Sequence, residues 1–343
     1  MEVAQKEKIL TTMSALVQRT MAMDLTWDWE GGVAYYGICR AAKVTENKAY
    51  LQAVKERVDE LIALGCGDSW TVNKCAMGHC LLDLYQEYQE PIYWELVESK
   101  ITYLQHDALR FGEGVLQHTV SKNDDFPQQA WADTLFMAAF FMLRVGIIKK
   151  DETLILDALN QYYWHIKFLQ NPETGLFYHG YSHVEQSHLS GIYWGRANAW
   201  AAYTMSQVGA RLPEAYLYPQ FMDVQGSLKE QLASLKGFQT SDGLWRTIID
   251  DEKSYEEVSA SAGIAAALAV NGNPLQRKYV EKALPAILAN VTKDGRVLNV
   301  SAGTAVMKDR LGYQSISKDW QHGWGQGLVL TYLAELFMRA DQF

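Results

Sequence analysis

The sequence is short of positive charge, has few cysteines and lacks any long apolar run. Each shortage removes a class of function. Lysine and arginine total 31 against 40 acidic residues, which leaves a net charge of −9. A general nucleic-acid binder needs a basic footprint, so that partner is excluded. No stretch of about 18 residues is apolar throughout, so no membrane span is expected. The opening residues MEVAQKEKILTTMSALVQRT are too polar for a signal peptide. Without an export signal, Cys39, Cys66, Cys75 and Cys80 are expected to be reduced thiols, and the protein cytoplasmic. Strand-like runs are few and short, and no Pro/Ser-rich linker divides the chain. One domain over residues 1–343 is expected.

What is present is a repeat. Of the 343 residues, 48% are hydrophobic and 21% charged, which is ordinary for a globular protein able to bury a core. Six segments are rich in Gly and Ala and apolar nearly all round. They are GGVAYYGICRAA from Gly31, CAMGHCLLDLYQEY from Cys75, ADTLFMAAFFMLRVG from Ala132, GRANAWAAYTMSQVG from Gly195, EVSASAGIAAALAVNG from Glu257 and GWGQGLVLTYLAELF from Gly323. Helices apolar on every face are buried helices. An amphipathic helix precedes each one. In ENKAYLQAVKERVDELIAL, residues Leu51, Val54, Val58, Leu61 and Ile62 form one stripe, and NPLQRKYVEKALPAILAN repeats the pattern. Segments opening at Glu2, Pro91, Asp151 and Glu214 complete six pairs. Six outer helices around six inner ones predict an all-α (α/α)6 barrel.

The connections from outer to inner helices are long and carry the unusual residues. Each of the last four has a glycine turn followed by an extended piece, at Gly114, Gly175, Gly243 and Gly295. His118 and His179 lie at equivalent offsets after the first two of these glycines. Long loops in a compact domain are usually functional. All should gather at one rim, where inner-helix N-termini favour an anionic ligand. Trp27, Trp29, Tyr178, Trp194, Trp200, Trp245, Trp320 and Trp324 crowd the same rim, and aromatic faces suit a sugar ring.

One polar residue stands out in this apolar pattern. In QQAWADTLFM, after Pro127, a helix is expected to open, with Asp133 about one turn in. A carboxylate there costs several kcal/mol unless something pairs with it or uses it. Capping the helix is the alternative use.

Taken together, LTWDWEGGVAYYG, TVNKCAMG, QQAWADTLFM, GLFYHGYS, WGRANAW and HGWGQGL resemble glycoside hydrolase family 105, the unsaturated rhamnogalacturonyl hydrolases. The resemblance runs in order over nearly the whole chain. It extends in fold and chemistry to the unsaturated glucuronyl hydrolases. It implies a small anionic oligosaccharide substrate and Asp133 as the catalytic acid/base, with a carboxyl raised by Trp131, Phe136 and Phe140. It also implies substrate contacts at His118, His179, Trp194, Arg196, Trp200 and the Trp27–Trp29 region. The family's second carboxylate falls at Asn73, here an amide. Arg196 is expected on the uronate carboxylate, or alternatively on a core carboxylate.

Cys75, His79 and Cys80 do not have the spacing of a zinc site, so neither metal nor cofactor is expected. His183, His188, Asp250, Asp251 and Glu252 read as solvated loop residues. Two rival functions remain. An inverting glycosidase or epimerase is one, with Asp28, Glu30 or Asp319 as the glycosidase's second carboxylate. The other is a non-catalytic saccharide-binding toroid.

Overall fold

The computed structural model describes residues 3–66 and 70–339. Glu2, the expected opening of the first outer helix, lies outside them. In chain order the first helices are α1 (Val3–Met21), α2 (Trp29–Thr45), α3 (Lys48–Ala63), α4 (Met77–Tyr88), α5 (Pro91–Thr102) and α6 (Phe141–Lys149). Then come α7 (Glu152–Leu169), α8 (Gly195–Arg211), α9 (Pro219–Gly237), α10 (Val258–Asn271), α11 (Arg277–Ala289), the short α12 (Arg310–Gln314) and α13 (Gly323–Met338). The six expected apolar segments are α2, α4, α6, α8, α10 and α13, and the amphipathic ones alternate with them. The fold is an (α/α)6 barrel. None of the described helices is long and apolar enough to cross a membrane.

Small side chains let the inner ring close. A Cβ on Gly37 of α2 would collide with the carbonyl of Gly327 in α13. Between α8 and α10, a Cβ on Gly263 would stand 2.7 Å from that of Ala199. Helix α10 shows the result: every residue from Val258 to Val270 is buried.

The ends of the inner helices behave differently. At the C-terminal end, buried Glu335 of α13 accepts from Arg40 Nη2 at 2.8 Å. Tyr203, Gln207 and Arg339 bind the same carboxylate. Burial is the largest influence and pushes that carboxyl up, but Arg40, Arg339 and Arg211 outweigh it and hold it below its ordinary value. At the N-terminal end lie the long loops, which carry two short antiparallel ladders. One pairs β1 (Arg110–Phe111) with β2 (Val115–Leu116), and the other β3 (Gln129–Trp131) with β4 (Gly180–Ser182).

The loop glycines are structural necessities. Gly175 has φ 70°, and a Cβ there would lie 2.8 Å from the backbone of Glu230 in α9. Gly114, Gly243 and Gly295 also have positive φ.

Candidate active site

Asp133 does not sit one turn inside a helix that opens after Pro127. Gln129–Trp131 is strand β3, and the helix begins at Asp133 itself. The next turn, Leu135–Phe140, is π-helical before α6 proper. Proline blocked the helix for longer than the apolar pattern suggested, because Gln129, Ala130 and Trp131 find ladder partners in Ser182, Tyr181 and Gly180. A carboxylate at a helix start also faces the positive end of the dipole.

The ladder explains how two distant histidines reach this aspartate. One residue past the β3–β4 pairing, Ala132 N–H donates to His179 O at 3.0 Å. On the other flank, His118 N–H donates to Gln129 O at 2.9 Å. Equivalent turns in two repeats therefore deliver a histidine to each side of β3. His179 Nε2 stands 3.3 Å from Asp133 Oδ2, at ion-pair distance but off good hydrogen-bond alignment. His118 packs flat on Trp131, ring centroids 4.5 Å apart, and its Nδ1 lies 3.0 Å from Thr134 Oγ1.

Asp133 opens onto a cavity of about 350 Å³ that also meets Asn73, His118, Trp29, Glu30 and Asp125. Three chain starts converge here: the N-terminus of α2, the 3₁₀ turn Asn73–Ala76 that leads into α4, and the helix opening at Asp133. Asn73 N–H is tied to Thr119 O at 3.0 Å, beside His118. Its Oδ1 is buried without a hydrogen-bond partner among the described groups. Gly303, Thr304 and Ala305 form the opposite wall.

The electrostatics correct one expectation. Burial is the largest influence on Asp133 and pushes its carboxyl up, but the contact and charge of His179, with His118 and Arg196 behind, outweigh it. The free site therefore holds this carboxyl below the ordinary range, not above it. Burial also lowers His179, which Asp133 only partly offsets, and takes His118 down to about 4. Both imidazoles are neutral at neutral pH, facing an ionised Asp133.

Arg196 departs from the expected clamp on a uronate. Among the described residues lining the cavity there is no lysine or arginine. Arg196 is buried behind the wall, where Nη1 donates to Ser301 Oγ at 2.7 Å and Nη2 to Ala302 O at 2.9 Å. Glu257, the N-cap of α10, lies 3.7 Å from Nη1 and accepts from Ser301 N–H at 2.8 Å. Arg196 thus braces the 301–304 wall against a core carboxylate, the alternative reading of this residue.

The tryptophans divide in the same way. Trp194 is buried beneath His179, with centroids 4.2 Å apart, and Trp200 is buried against Phe136. Neither lines the cavity, because each lies in or beside the first turns of α8, inside the ring. Trp27 is buried too, whereas Trp29 lines the cavity and stacks on Trp324 at 4.5 Å. Trp245 is core, donating to Leu235 O at 2.7 Å, and Trp320 is 74% exposed.

Of the other carboxylates, Glu30 reaches the cavity, Asp28 caps α2 at Trp29 N–H, and Asp319 is bound to Ser317. Asp250 and Asp251 are not simply solvated. They hold Arg310 of α12 at 3.0 and 3.5 Å. Sequence reasoning missed Tyr313 on that same short helix, whose hydroxyl lies 2.8 Å from His179 Nδ1. No local signal marks it, since the contact spans 134 positions. Asp125 was missed as well. Its carboxylate accepts from the N–H groups of Val120, Ser121 and Lys122 in a tight turn at the cavity edge.

A helical toroid whose rim cavity meets a carboxylate and one histidine, with a second histidine paired behind the carboxylate, suits a glycoside hydrolase. The chain belongs to glycosyl hydrolase family 88, whose model matches residues 3–340. It is 48% identical over 333 residues to the unsaturated rhamnogalacturonyl hydrolase YesR of Bacillus subtilis, covering 96% of this chain and 95% of that one. Among solved structures it superposes on a Salmonella enterica protein described as a possible member of the GH105 family. That match has a TM-score of 0.90 and 22% identity, and covers 98% of this chain and 95% of the other. The unsaturated glucuronyl hydrolase of Bacillus sp. GL1 shares the fold at TM-score 0.70 and 18% identity, with 98% and 96% covered. The resemblance read from the motifs is borne out.

Proposed function

We propose that this protein removes the 4,5-unsaturated uronic acid from the non-reducing end of lyase-generated oligosaccharides, with rhamnogalacturonan-type disaccharides as the first substrates to try. Asp133 serves as the only proton-transfer carboxylate. The observation that carries this reading is Asp133, paired with His179 behind it, facing one cavity with the Asn73 amide oxygen, which has no partner among the described groups. Identity to a named unsaturated rhamnogalacturonyl hydrolase along nearly the whole chain supports it.

The chemistry suits one carboxylate. A 4,5-unsaturated uronate is a vinyl ether, so protonation at C4 leaves an oxocarbenium ion at C5. Water adds to C5 and returns a proton to the same carboxylate. The hemiketal then collapses, opening the ring and expelling the neighbouring saccharide. Asp133 is ionised in the free site and must take up a proton to begin. The substrate carboxylate supplies the reason, because it brings another negative charge and excludes water from a cavity already lined by Glu30 and Asp125. Asn73 can orient the attacking water through its free acceptor and its amide donors. Trp29 offers a face to the sugar ring, and His118 a polar edge. Four free cysteines suit work in the cytoplasm on imported oligosaccharide.

A second reading has one observation in its favour. Glu30 lines the same cavity, and burial, then Asp28, raises its carboxyl, so it could serve as the acid of an inverting glycosidase. The test is purified protein against unsaturated disaccharides from different polyuronate lyases, followed by ultraviolet absorbance. Loss of the conjugated chromophore is expected. Binding without loss of absorbance, or cleavage only of saturated glycosides, overturns the proposal.

A further inference from the structure

We propose that Tyr313 is a positioning residue for this reaction. It fixes the tautomer of His179, so that Nε2–H faces Asp133 and only one carboxylate oxygen is left to exchange the proton. This rests on the reading of Asp133 as the acid/base and adds to it the group that orients it.

The geometry runs in a line from α12 to the cavity. Tyr313 is fully buried, and its hydroxyl lies 2.8 Å from His179 Nδ1. Across the ring, Nε2 faces Asp133 Oδ2 at 3.3 Å. The hydroxyl also meets Ser190 Oγ, at 3.5 Å, and the backbone of Met307. A neutral imidazole carries one N–H, and the partner of one nitrogen decides the state of the other. Burial pushes the Tyr313 hydroxyl up to about 12, so it keeps its proton throughout the working range, and donating that proton to Nδ1 leaves Nε2–H for the ionised, acceptor-only Asp133. With Tyr313 donating, Nδ1 is the acceptor and Nε2 carries the hydrogen. That hydrogen faces Oδ2 at 3.3 Å, off good alignment in the free site. Oδ1 is then the oxygen left for C4 and for the attacking water.

The charged and titratable groups around His179 are few. Asp133 faces it from the helix opening, Arg196 lies behind it on α8, and His118 stands on the far side of β3. The rings of Trp131 and Trp194 pack against it, both tilted, at centroid distances of 5.3 and 4.2 Å. None of these presents an acceptor to Nδ1, and the ionised Asp133 can only accept, so Tyr313 at Nδ1 and Asp133 at Nε2 favour the same tautomer. Helix α12 is clamped for the purpose: Arg310 binds Asp250, and Gln314 Nε2 donates to Asp251 at 2.9 Å. An otherwise unexplained five-residue helix in the longest loop thereby gains a role.

Two measurements on the full chain test this. The first is nitrogen-15 NMR of labelled histidines at neutral pH, with His179 assigned from the signal that vanishes in His179→Gln. The expected result is a neutral Nε2–H tautomer that becomes a mixture in Tyr313→Phe. The second is steady-state kinetics of Tyr313→Phe on an unsaturated disaccharide. Here kcat should fall on the order of tenfold to a hundredfold with KM nearly unchanged. The alkaline limb of kcat should also move to higher pH, since an Asp133 anion that has lost its donor binds its proton more tightly. An Nδ1–H tautomer in the wild type, or a Tyr313→Phe enzyme with unchanged kcat and pH limb, overturns the inference. Failure of the underlying reading looks different: Asp133→Asn would stay active while the tautomer result stood.

Discussion

The two ends of the barrel bury polar groups in opposite ways. At the C-terminal end of the inner helices, Glu335 is saturated: Arg40, Arg339, Tyr203 and Gln207 all bind it. At the N-terminal end, Asp133 Oδ2, His179 Nε2 and Asn73 Oδ1 lack well-aligned partners among the described groups. A buried polar atom left without a partner costs about 1–3 kcal/mol. Other atoms of this kind lie elsewhere, Asp83 Oδ2 among them, but here three of them stand at one end, two on the same cavity. Charge that is fully answered holds helices together, and charge left partly unanswered is available to a substrate.

Removing a carboxylate from each end should give opposite signatures. Asp133→Asn is expected to lower kcat by about 10³-fold, within the range a positioned acid–base contributes, with an unchanged melting temperature. A variant that retains a few per cent of the wild-type rate would show that the proton comes from elsewhere. Glu335→Gln should do the reverse. It leaves buried Arg40 and part-buried Arg339 without their counter-charge, a loss of about 3–5 kcal/mol in stability. The activity of the molecules still folded should be unaltered. Urea titration and kcat measured on the same samples separate the two. Loss of activity with intact stability in Glu335→Gln would break the contrast.

The contrast also tells which parts of the molecule were legible in the sequence. Apolar-all-round segments such as the one from Glu257 to Gly272 have only one place to go, so the inner ring and barrel followed from pattern. His118 and His179 were legible because a repeat placed them at matching offsets after Gly114 and Gly175. Arg196 was not, because a lone arginine at a helix start looks the same whether it faces ligand or wall. Ser301, Ala302 and Glu257 decide the matter, and they are far away in sequence. The lowered carboxyl of Asp133 failed for the same reason: apolar neighbours were visible along the chain, and the histidine pair needed the β3–β4 ladder. Trp194 and Trp200 illustrate a general limit, since aromatic content shows that a ring is present and not which way it points.

Acid should test the buried imidazoles next. Burial takes His118 and His165 each down to about 4. An unfolded histidine binds its proton near pH 6.5, so between about 6.5 and 4 the unfolded chain holds more protons than the folded one. Stability is thus full above that window and is lost as pH falls through it, by up to about 3 kcal/mol per histidine. The melting temperature should drop across this range, and His165→Gln should flatten the drop. A melting temperature that stays level down to pH 4.5 would mean the imidazoles reach water. Arg196→Lys comes below this in size. Losing the forked contacts to Ser301 and Ala302 should cost about 1–3 kcal/mol in stability. KM should rise only as far as the 303–305 wall relaxes. A large rise in KM with unchanged melting would restore the direct role on the uronate.

The smallest expected effect is at Asn73, and it probes most directly whether one carboxylate is enough. Its Oδ1 is buried, without a partner among the described groups, and on the same cavity as Asp133. If it only orients water, Asn73→Asp supplies an oxygen of similar reach and adds a charge. The added charge disfavours ionisation of Asp133, so the two carboxyls should titrate as a coupled pair. The alkaline limb of kcat should then shift upward and broaden, while kcat at neutral pH changes by less than about tenfold. Because the protonated form of Asp133 begins the reaction, a raised affinity for that proton widens the active range at high pH. It does not create activity where none existed. A gain of two orders of magnitude in Asn73→Asp would show that the site lacks a base it needs, and the single-carboxylate scheme would have to be abandoned.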